Sequence, residues 1–576
     1  MHWTDSRRLT GPNLHLAGPG VVVEVQFAPG DNAQLFVDTW TDLMGDVLGR
    51  FGLLREKIFC RVWRDGASVG FSAPIDRLYA ATEMNEWCVE AAIQVCAGGE
   101  LPPFDIRAQE IQQTLAEEVN PGLLSLQRVA LERNVPFLWD DDAVSLGHGK
   151  HSQTYTQGDL PSVETVDFSP FRGIEVAAVT GTNGKTTTSR MLSRILMLAG
   201  RTVGSTSSDG IYVDGEVVDC GDWTGPGAAR RVLRRPDVDC VVLEMARGGL
   251  LRRGMGVDAC DVAVITNIAE DHLGEYGIHQ VSEMAEVKSI ITRAVARGGA
   301  RVLNADDPLA AKLFRAGSAP VIWFGLDAQN PVVQQHCARG GESWVVSEGM
   351  LVRQRGSETL PILAVTDLPA SYGGTALHNV ANALAASAAA SALGVDVGHI
   401  LAALRSFGRR LEDNPGRCQR YDVQGFHLIM DFAHNPAGVA AILAMARGLM
   451  RLEGFSRLCV SVGQAGDRTD ASIVGLVEQV FQAQPELIIL RKIVGYERGR
   501  TEGEVPALMR EHLQTRQYPM DQVVVQADEV GSLETAQRWS RERDLVVHLI
   551  HIQREPVQAW LAANRAQPYL SDSGAE

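Results

Sequence analysis

Apolar positions recur along this chain in two rhythms. Before residue 165 the pattern is mixed. The run Val21–Phe27 (VVVEVQF) predicts a strand, and apolar residues at helical spacing predict helices over Ala33–Arg50 and Ala80–Ala97, with one or two more within Ile106–Glu132. The stretch Gly147–Val163 (GHGKHSQTYTQGDLPSV) has few apolar residues and reads as a linker. From Ile174 short apolar runs alternate with helical segments: Ile174–Val179 and a helix from Lys185, then Cys240–Leu243, Val262–Thr266, Arg301–Leu303 and Val321–Phe324. Such runs predict strands buried on both faces, hence a doubly wound parallel sheet. The Ala-rich segment Asn382–Leu393 reads as a helix packed in a core. A charged, turn-rich stretch, Ser406–Gly416 (SFGRRLEDNPG), separates this pattern from a second one, with strands at His427–Met430, Leu458–Val462, Leu487–Leu490 and Leu545–Ile550. The expected fold class is therefore α/β throughout. A mixed α/β domain occupies 1–165, a doubly wound parallel sheet 166–413, and a Rossmann-like α/β domain 414–576.

Composition narrows the function classes. A chain of 576 residues suffices for about three or four domains, and 45% hydrophobic with 21% charged residues excludes a disordered chain. Lys plus Arg number 53 against 70 Asp plus Glu, a net charge of −17. That balance argues against a general binder of nucleic acid or anionic membrane, while leaving room for a local basic pocket. The nine cysteines are scattered, with no CxxC pair, which excludes a disulfide framework or zinc cluster. The N-terminal MHWTDSRRLT is charged where a signal peptide is apolar, and no run reaches the roughly 18 apolar residues that span a bilayer. A soluble, cytoplasmic protein with no nucleic-acid or membrane partner is expected.

The strongest chemical signal is Val179-Thr180-Gly181-Thr182-Asn183-Gly184-Lys185-Thr186, between a predicted strand and a predicted helix. This is the context of a phosphate-binding P-loop. The glycines let backbone N–H groups approach a polyphosphate, the helix N-terminus adds positive potential, Lys185 supplies a charge and Thr186 a hydroxyl for Mg²⁺. The full pattern begins with glycine; here Val179 stands in that place. Two further strand ends carry candidates. Glu244 closes the run Cys240–Leu243, and His272 follows Val262–Thr266 within Asn267–Gly274 (NIAEDHLG), with Lys288 further on. Ligands of open α/β sheets bind at such carboxyl ends. A P-loop serves kinases, motors and ligases alike, so it does not by itself name a reaction.

The run TGTNGKTTT (Thr180–Thr188) resembles the central signature of the Mur ligase family, ATP-dependent enzymes that form amide bonds. NIAEDHLG, LNADDP (Leu303–Pro308), LHNVANALAA (Leu377–Ala386) and DFAHNP (Asp431–Pro436) resemble further motifs in the family's order. Within the family, SSDGIYVDG (Ser207–Gly215), EMARGGLLRRG (Glu244–Gly254), NPGR (Asn414–Arg417) and RGRTEGE (Arg498–Glu504) resemble the cyanophycin-synthetase subgroup. RRLTGPNL (Arg7–Leu14) and AVSLGHGKHSQTYT (Ala143–Thr156) resemble its N-terminal part. That subgroup carries an ATP-grasp module between its N-terminal part and the P-loop; here the linker leads almost directly to the P-loop.

The resemblance implies the three-domain Mur ligase architecture and its chemistry. A carboxylate takes the γ-phosphate of ATP to give an acyl phosphate, and an amine displaces the phosphate. It implies that Gly181, Thr182, Asn183, Gly184, Lys185, Thr186 and Thr187 hold the nucleotide phosphates, with Thr186 and Glu244 on one Mg²⁺ and His272 supporting a second. Lys288 matches a lysine that is carbamylated in some members. Asn379 and Asn382 match nucleotide contacts, Asp431 the acid that holds the ribose, and Arg417 an arginine that reaches the phosphates on closure about a hinge near 406–416. Lys185, Glu244, His272, Lys288 and Arg417 are the expected catalytic residues. The acid substrate is expected near Asp209, Thr224 and Arg247, and the amine near His434, Asn435, Arg498 and Glu502. The implied reaction adds an arginine-like amino acid to an aspartyl-containing peptide related to cyanophycin, by a homo-oligomer (dimer or tetramer). The competing reading is an accessory subunit that binds ATP or such a polymer beside a separate ATP-grasp enzyme.

Overall fold

The computed structural model describes residues 1–313 and 319–569. Its first strand, His2–Leu9, is one that the apolar pattern does not announce, because only Arg7 and Leu9 in it are buried. It pairs with Gly20–Gln26, and a four-stranded antiparallel sheet continues through Gly66–Ser72 to Ile58–Trp63. Helices Ala33–Arg50 and Leu78–Cys96 cover one face, with Phe36, Trp40 and Met44 packed on Val21, Val23 and Phe71. Asn32 caps the first helix by accepting from Leu35 N at 3.0 Å. Helices Asp105–Glu118 and Pro121–Glu132 follow, in the region where one or two were expected.

The expected linker is a correction. Ala143–Leu146 pairs with Phe137–Trp139 on one side and Gln153–Thr156 on the other in a three-stranded sheet, and the turn after Leu146 docks on the segment that leads into the next sheet. Lys150 N donates to Val238 O at 3.0 Å, and a Cβ on Gly149 would stand 2.3 Å from that same oxygen. Polar composition hid this strand because Gln153–Thr156 has no fully buried residue.

The central sheet has seven parallel strands in the spatial order Val203–Thr206, Cys240–Glu244, Glu175–Thr180, Cys260–Ile265, Val295–Asn304, Val321–Gly325 and Glu342–Ser347. An antiparallel pair extends each end, Gly210–Val213 with Glu216–Cys220 and Met350–Arg355 with Glu358–Ala364. Helices Lys185–Leu198 and Leu377–Ala392 pack on one face. Pro226–Leu233, Arg247–Arg252 and Val281–Lys288 pack on the other. The Ala-rich helix lies in the core as expected, with Ala383 to Ala386 fully buried. A third sheet has five parallel strands, Val523–Gln526, Leu487–Arg491, Leu458–Val462, Leu545–Leu549 and Phe426–Asp431, extended antiparallel by Gln419–Val423 and Gln567–Pro568. Helices cover both of its faces. The protein is thus α/β with two doubly wound parallel-rich sheets. Among the described residues no helix is long and apolar enough to cross a membrane.

Candidate active site

The carboxyl ends of three neighbouring central strands and the facing loops of the third sheet enclose a cleft of about 1210 Å³. Strand Glu175–Thr180 runs straight into the glycine-rich loop. Gly184 has φ +82°, and a Cβ there would lie 2.2 Å from Asn382 Oδ1; a Cβ on Gly181 would lie 1.8 Å from Thr266 Oγ1. Only glycine fits either place. Gly184 is followed at once by helix Lys185–Leu198, which has no side-chain cap, so its first amides stay available to an anion. Lys185 Nζ donates to Thr182 O at 3.0 Å. The loop is fixed from the next strand end: Thr266 Oγ1 donates to Asn183 O at 2.6 Å, and Asn183 N donates to Asn267 Oδ1 at 2.9 Å. Thr266 and Asn267 were not singled out from the sequence; their place at the end of a strand beside the P-loop strand was the available signal.

Glu244 closes the strand on the other side of the P-loop strand and is 2% exposed. Burial pushes its carboxyl above the usual range, against the pull of Lys185 and the Thr186 hydroxyl. Its Oε2 has no hydrogen-bond partner among the described residues. A buried carboxylate oxygen left open beside a P-loop hydroxyl fits a divalent cation, which takes one or two protein oxygens and completes its shell with phosphate and water. Among the described residues no group of three or more His, Cys, Asp or Glu side chains forms a self-sufficient metal cage.

His272 sits at φ +51°, and its Nε2 accepts from Arg468 Nη2 of the third sheet at 2.8 Å. Burial holds its pKa below the ordinary histidine value. Asp271 lies within 3.8 Å of His272, 3.7 Å of His434 and 4.0 Å of Arg468. Burial favours its neutral form, but the hydrogen bond from His434 and the neighbouring positive groups outweigh it and keep Asp271 ionised. Lys288, buried in the same cleft, is lowered to about 7 by burial and by the nearby Lys185 charge.

From the third sheet, Arg417 lies 4.6 Å over the Phe432 ring. Asp431 accepts from Cys418 N at 2.9 Å and Ala433 N at 2.8 Å. His434 is held through Nδ1 at Phe432 O, 3.0 Å away. Asn379 and Asn382 are buried on one helix and joined at 3.3 Å. Thr187 pairs with Asn414, and Thr224 donates to Asp222 at 2.7 Å. Arg247 pairs with Glu275 at 2.8 Å, and Arg498 with Asp467, both at the cleft.

Three expected substrate residues are placed otherwise. Glu502 does not line the cleft; its side chain is 69% exposed and paired with Lys492 at 2.8 Å. Asp209 also stays outside the lining, held by Arg190 at 3.2 Å and by Arg554 at 3.0 Å. Asn435 is buried and committed. It caps helix Pro436–Glu453 and exchanges a reciprocal amide pair with Asn183, at 3.0 and 3.1 Å, which joins the third sheet directly to the phosphate loop. Asp271 lies in the motif Asn267–Gly274 that carries His272. Asp467 and Arg468 were not singled out; the acid–base run Gly466-Asp467-Arg468 after strand Leu458–Val462 was the only hint of them.

Comparison with known proteins identifies the family of the two larger sheets. Residues 179–390 match the family model of the Mur ligase middle domain, and residues 416–549 that of the Mur ligase glutamate ligase domain; together they cover more than half of the chain. The chain is 40% identical over 374 residues to cyanophycin synthetase of Synechocystis sp., covering 65% of this chain and 42% of that protein. It is 30% identical over 307 residues to the UDP-N-acetylmuramoyl-L-alanyl-D-glutamate--2,6-diaminopimelate ligase of Syntrophomonas wolfei, covering 52% of this chain and 58% of that one. The chain thus spans about two fifths of the length of the cyanophycin synthetases it matches. Among solved structures, E. coli FolC in complex with DHPP and ADP aligns with a TM-score of 0.49 at 21% identity, covering 68% of this chain and 89% of that chain.

Proposed function

Because the chain belongs to the Mur ligase family, we propose that it is an ATP-dependent, ADP-forming carboxylate–amine ligase. It joins an amino acid of arginine-like character to an aspartyl-containing peptide through an acyl phosphate. The observation that carries this reading is the cleft itself: the P-loop with Lys185, the open Glu244 oxygen, and Arg417 and Asp431 on the facing sheet line one space. The division into domains at 1–165, 166–413 and 414–576 belongs to the same proposal.

In this scheme the loop amides and Lys185 hold the β- and γ-phosphates, and Asp431 with Asn379 and Asn382 orients the nucleoside. Thr186 and Glu244 would hold Mg²⁺, with His272 in support, and the ion would supply positive charge at the phosphates. Arg417 faces the charge that develops as the acid attacks. Arg247 meets the acid from the central side. Arg498 and His434 meet the amine from the third sheet, whose contact with the P-loop excludes water from the acyl phosphate. The 40% identity to cyanophycin synthetase supports the aspartyl peptide and the arginine-like amine as first substrates to try.

The test is product analysis by mass spectrometry with ATP, Mg²⁺, amino acids and short Asp-containing peptides. ADP and phosphate release should require both an acid and an amine. Absence of turnover across a broad panel, or full activity in Lys185→Ala, would refute the ligase.

A further inference from the structure

The N-terminal sheet turns one face toward the central sheet, and that face ends on the segment that carries His272. Strand alternation puts Phe59, Arg61 and Trp63 of edge strand Ile58–Trp63 on it, opposite Gly70, Ser68 and Gly66. A Cβ on Gly70 would meet the Phe59 ring at 2.7 Å, and one on Gly66 the Trp63 ring at 2.7 Å. The two rings therefore lie across bare backbone, with Arg61 between them. Glu24 and Arg7 share this face further in, buried and paired at 2.6 Å.

The surface they meet is a tight turn. Gly274 N donates to Ile278 O at 2.8 Å, and Ile278 N to Glu275 O at 3.1 Å. Gly274, Tyr276 and Gly277 have φ of +98°, +54° and +66°. The left-handed region is uncommon for a bulky residue such as Tyr276, so this turn needs support from outside. The N-terminal sheet supplies it. Arg7 lies 4.6 Å over the Tyr276 ring, and Arg61 Nη1 donates to Gly277 O at 3.1 Å. A Cβ on Gly277 would stand 2.5 Å from the Trp63 ring. Arg7 Nε also donates to Leu251 O at 3.2 Å, in the helix that begins at Arg247. Arg247 holds Glu275 at 2.8 Å from the cleft side, and His272 lies two residues before the turn.

We propose that the N-terminal sheet is the positioning plate of the active site. Arg7, Arg61 and Trp63 fix the Glu275–Gly277 turn, and through it Arg247 and His272. They are positioning residues, since none of them lines the cleft. The assignment rests on the ligase reading for its catalytic consequence, and on the contacts alone for its structural one. Groups that orient first ligands in this way are typically worth about 10- to 100-fold in activity.

The experiment compares three full-length variants with the parent. Arg61→Ala removes the support from one side, and Gly277→Ala pushes against Trp63 from the other. Arg234→Ala is the control, because it cuts contacts between the central part and the neighbouring three-stranded sheet, away from the turn, at Ser145 Oγ (2.9 Å) and Ala143 O (3.0 Å). Hydrogen exchange at the Gly274 and Ile278 amides should quicken about tenfold in the first two and stay unchanged in the control. With ATP, Mg²⁺ and an active acid–amine pair, kcat should fall about 10- to 100-fold in Arg61→Ala while KM for ATP stays within about twofold, with partial recovery in Arg61→Lys. Unchanged exchange, unchanged kcat, or an equal loss in Arg234→Ala overturns the proposal. If no acid–amine pair is turned over by the parent, the ligase reading falls, and the exchange comparison still decides whether this sheet holds the turn.

Discussion

Two doubly wound sheets face each other across the cleft and dispose of charge at their strand ends in opposite ways. The central sheet leaves it open: Glu244 is buried with a free oxygen, and Lys288 is buried at a strongly lowered pKa. The third sheet pairs its charge. Arg491 is fully buried with Nη1 3.3 Å from Glu529, an ion pair in which Nε and Nη1 have no hydrogen-bond partner among the described residues, and Glu529 also accepts from His551 N at 2.6 Å and Gln553 N at 2.7 Å. His551 Nε2 meets Ala433 O at 3.2 Å, which braces the loop that presents His434. Shared architecture therefore says little about which half does chemistry; unspent polar capacity that lines the cleft, as at Glu244 and not at Arg491, says more.

The largest expected effect breaks or upholds this contrast at once. Lys185→Ala should lower turnover about a thousandfold without loss of stability, since Nζ bonds only its own loop; steady-state phosphate release and a melting curve check both halves. A paired substitution sharpens it. Glu244→Gln should cut turnover about a hundredfold with stability unchanged or raised, because an open buried carboxylate is removed. Glu529→Gln should cost about 3 kcal/mol of stability by leaving Arg491 uncompensated, with nucleotide affinity intact. Urea unfolding beside ADP titration separates the two, and the contrast fails if their effects are exchanged.

Lys288 provides a pH test. With a folded pKa of about 7 against an ordinary 10.5, the unfolded chain binds the extra proton between those values. Stability should therefore rise with pH across that window, by at most about 1.4 kcal/mol per pH unit, and the penalty should be constant below it. Lys288→Met should remove that slope, read as the parent–variant difference in urea midpoints from pH 6 to 9. The smallest effect belongs to Glu502→Ala. An exposed ion pair with Lys492 should leave the unfolding midpoint indistinguishable from the parent's and change turnover by less than about twofold.

The central and third sheets were legible where strands are apolar along their whole length. Leu458–Val462 has the expected bounds, and Cys240–Glu244 and Glu175–Thr180 differ by one residue. Strands with polar faces escaped notice: His2–Leu9, Gln153–Thr156 and the antiparallel pair Met350–Arg355 and Glu358–Ala364 each bury too few residues to stand out. The P-loop and Glu244 were readable because strand ends deliver them to one crevice, whereas Lys288 comes to the same cleft from the end of helix Val281–Lys288. Glu502 and Asp209 were misplaced because charge suggests a ligand contact but equally an internal ion pair, and only the fold shows Lys492, Arg190 and Arg554 beside them. Asn435 was readable as part of a motif, but its partner Asn183 lies 252 residues away, beyond any local pattern.

The Asn183–Asn435 pair carries no net charge, unlike the Arg554–Asp209 contact, where the guanidinium side chain is 47% exposed. Ionic strength therefore acts on them unequally. Mobile ions weaken an exposed ion pair as their concentration rises but leave an uncharged, part-buried amide pair almost untouched. Added electrolyte should slacken the Arg554 contact while the join beside the phosphate loop holds, so the two halves of the cleft respond to their ionic surroundings as a clasp with one sensitive end and one indifferent end.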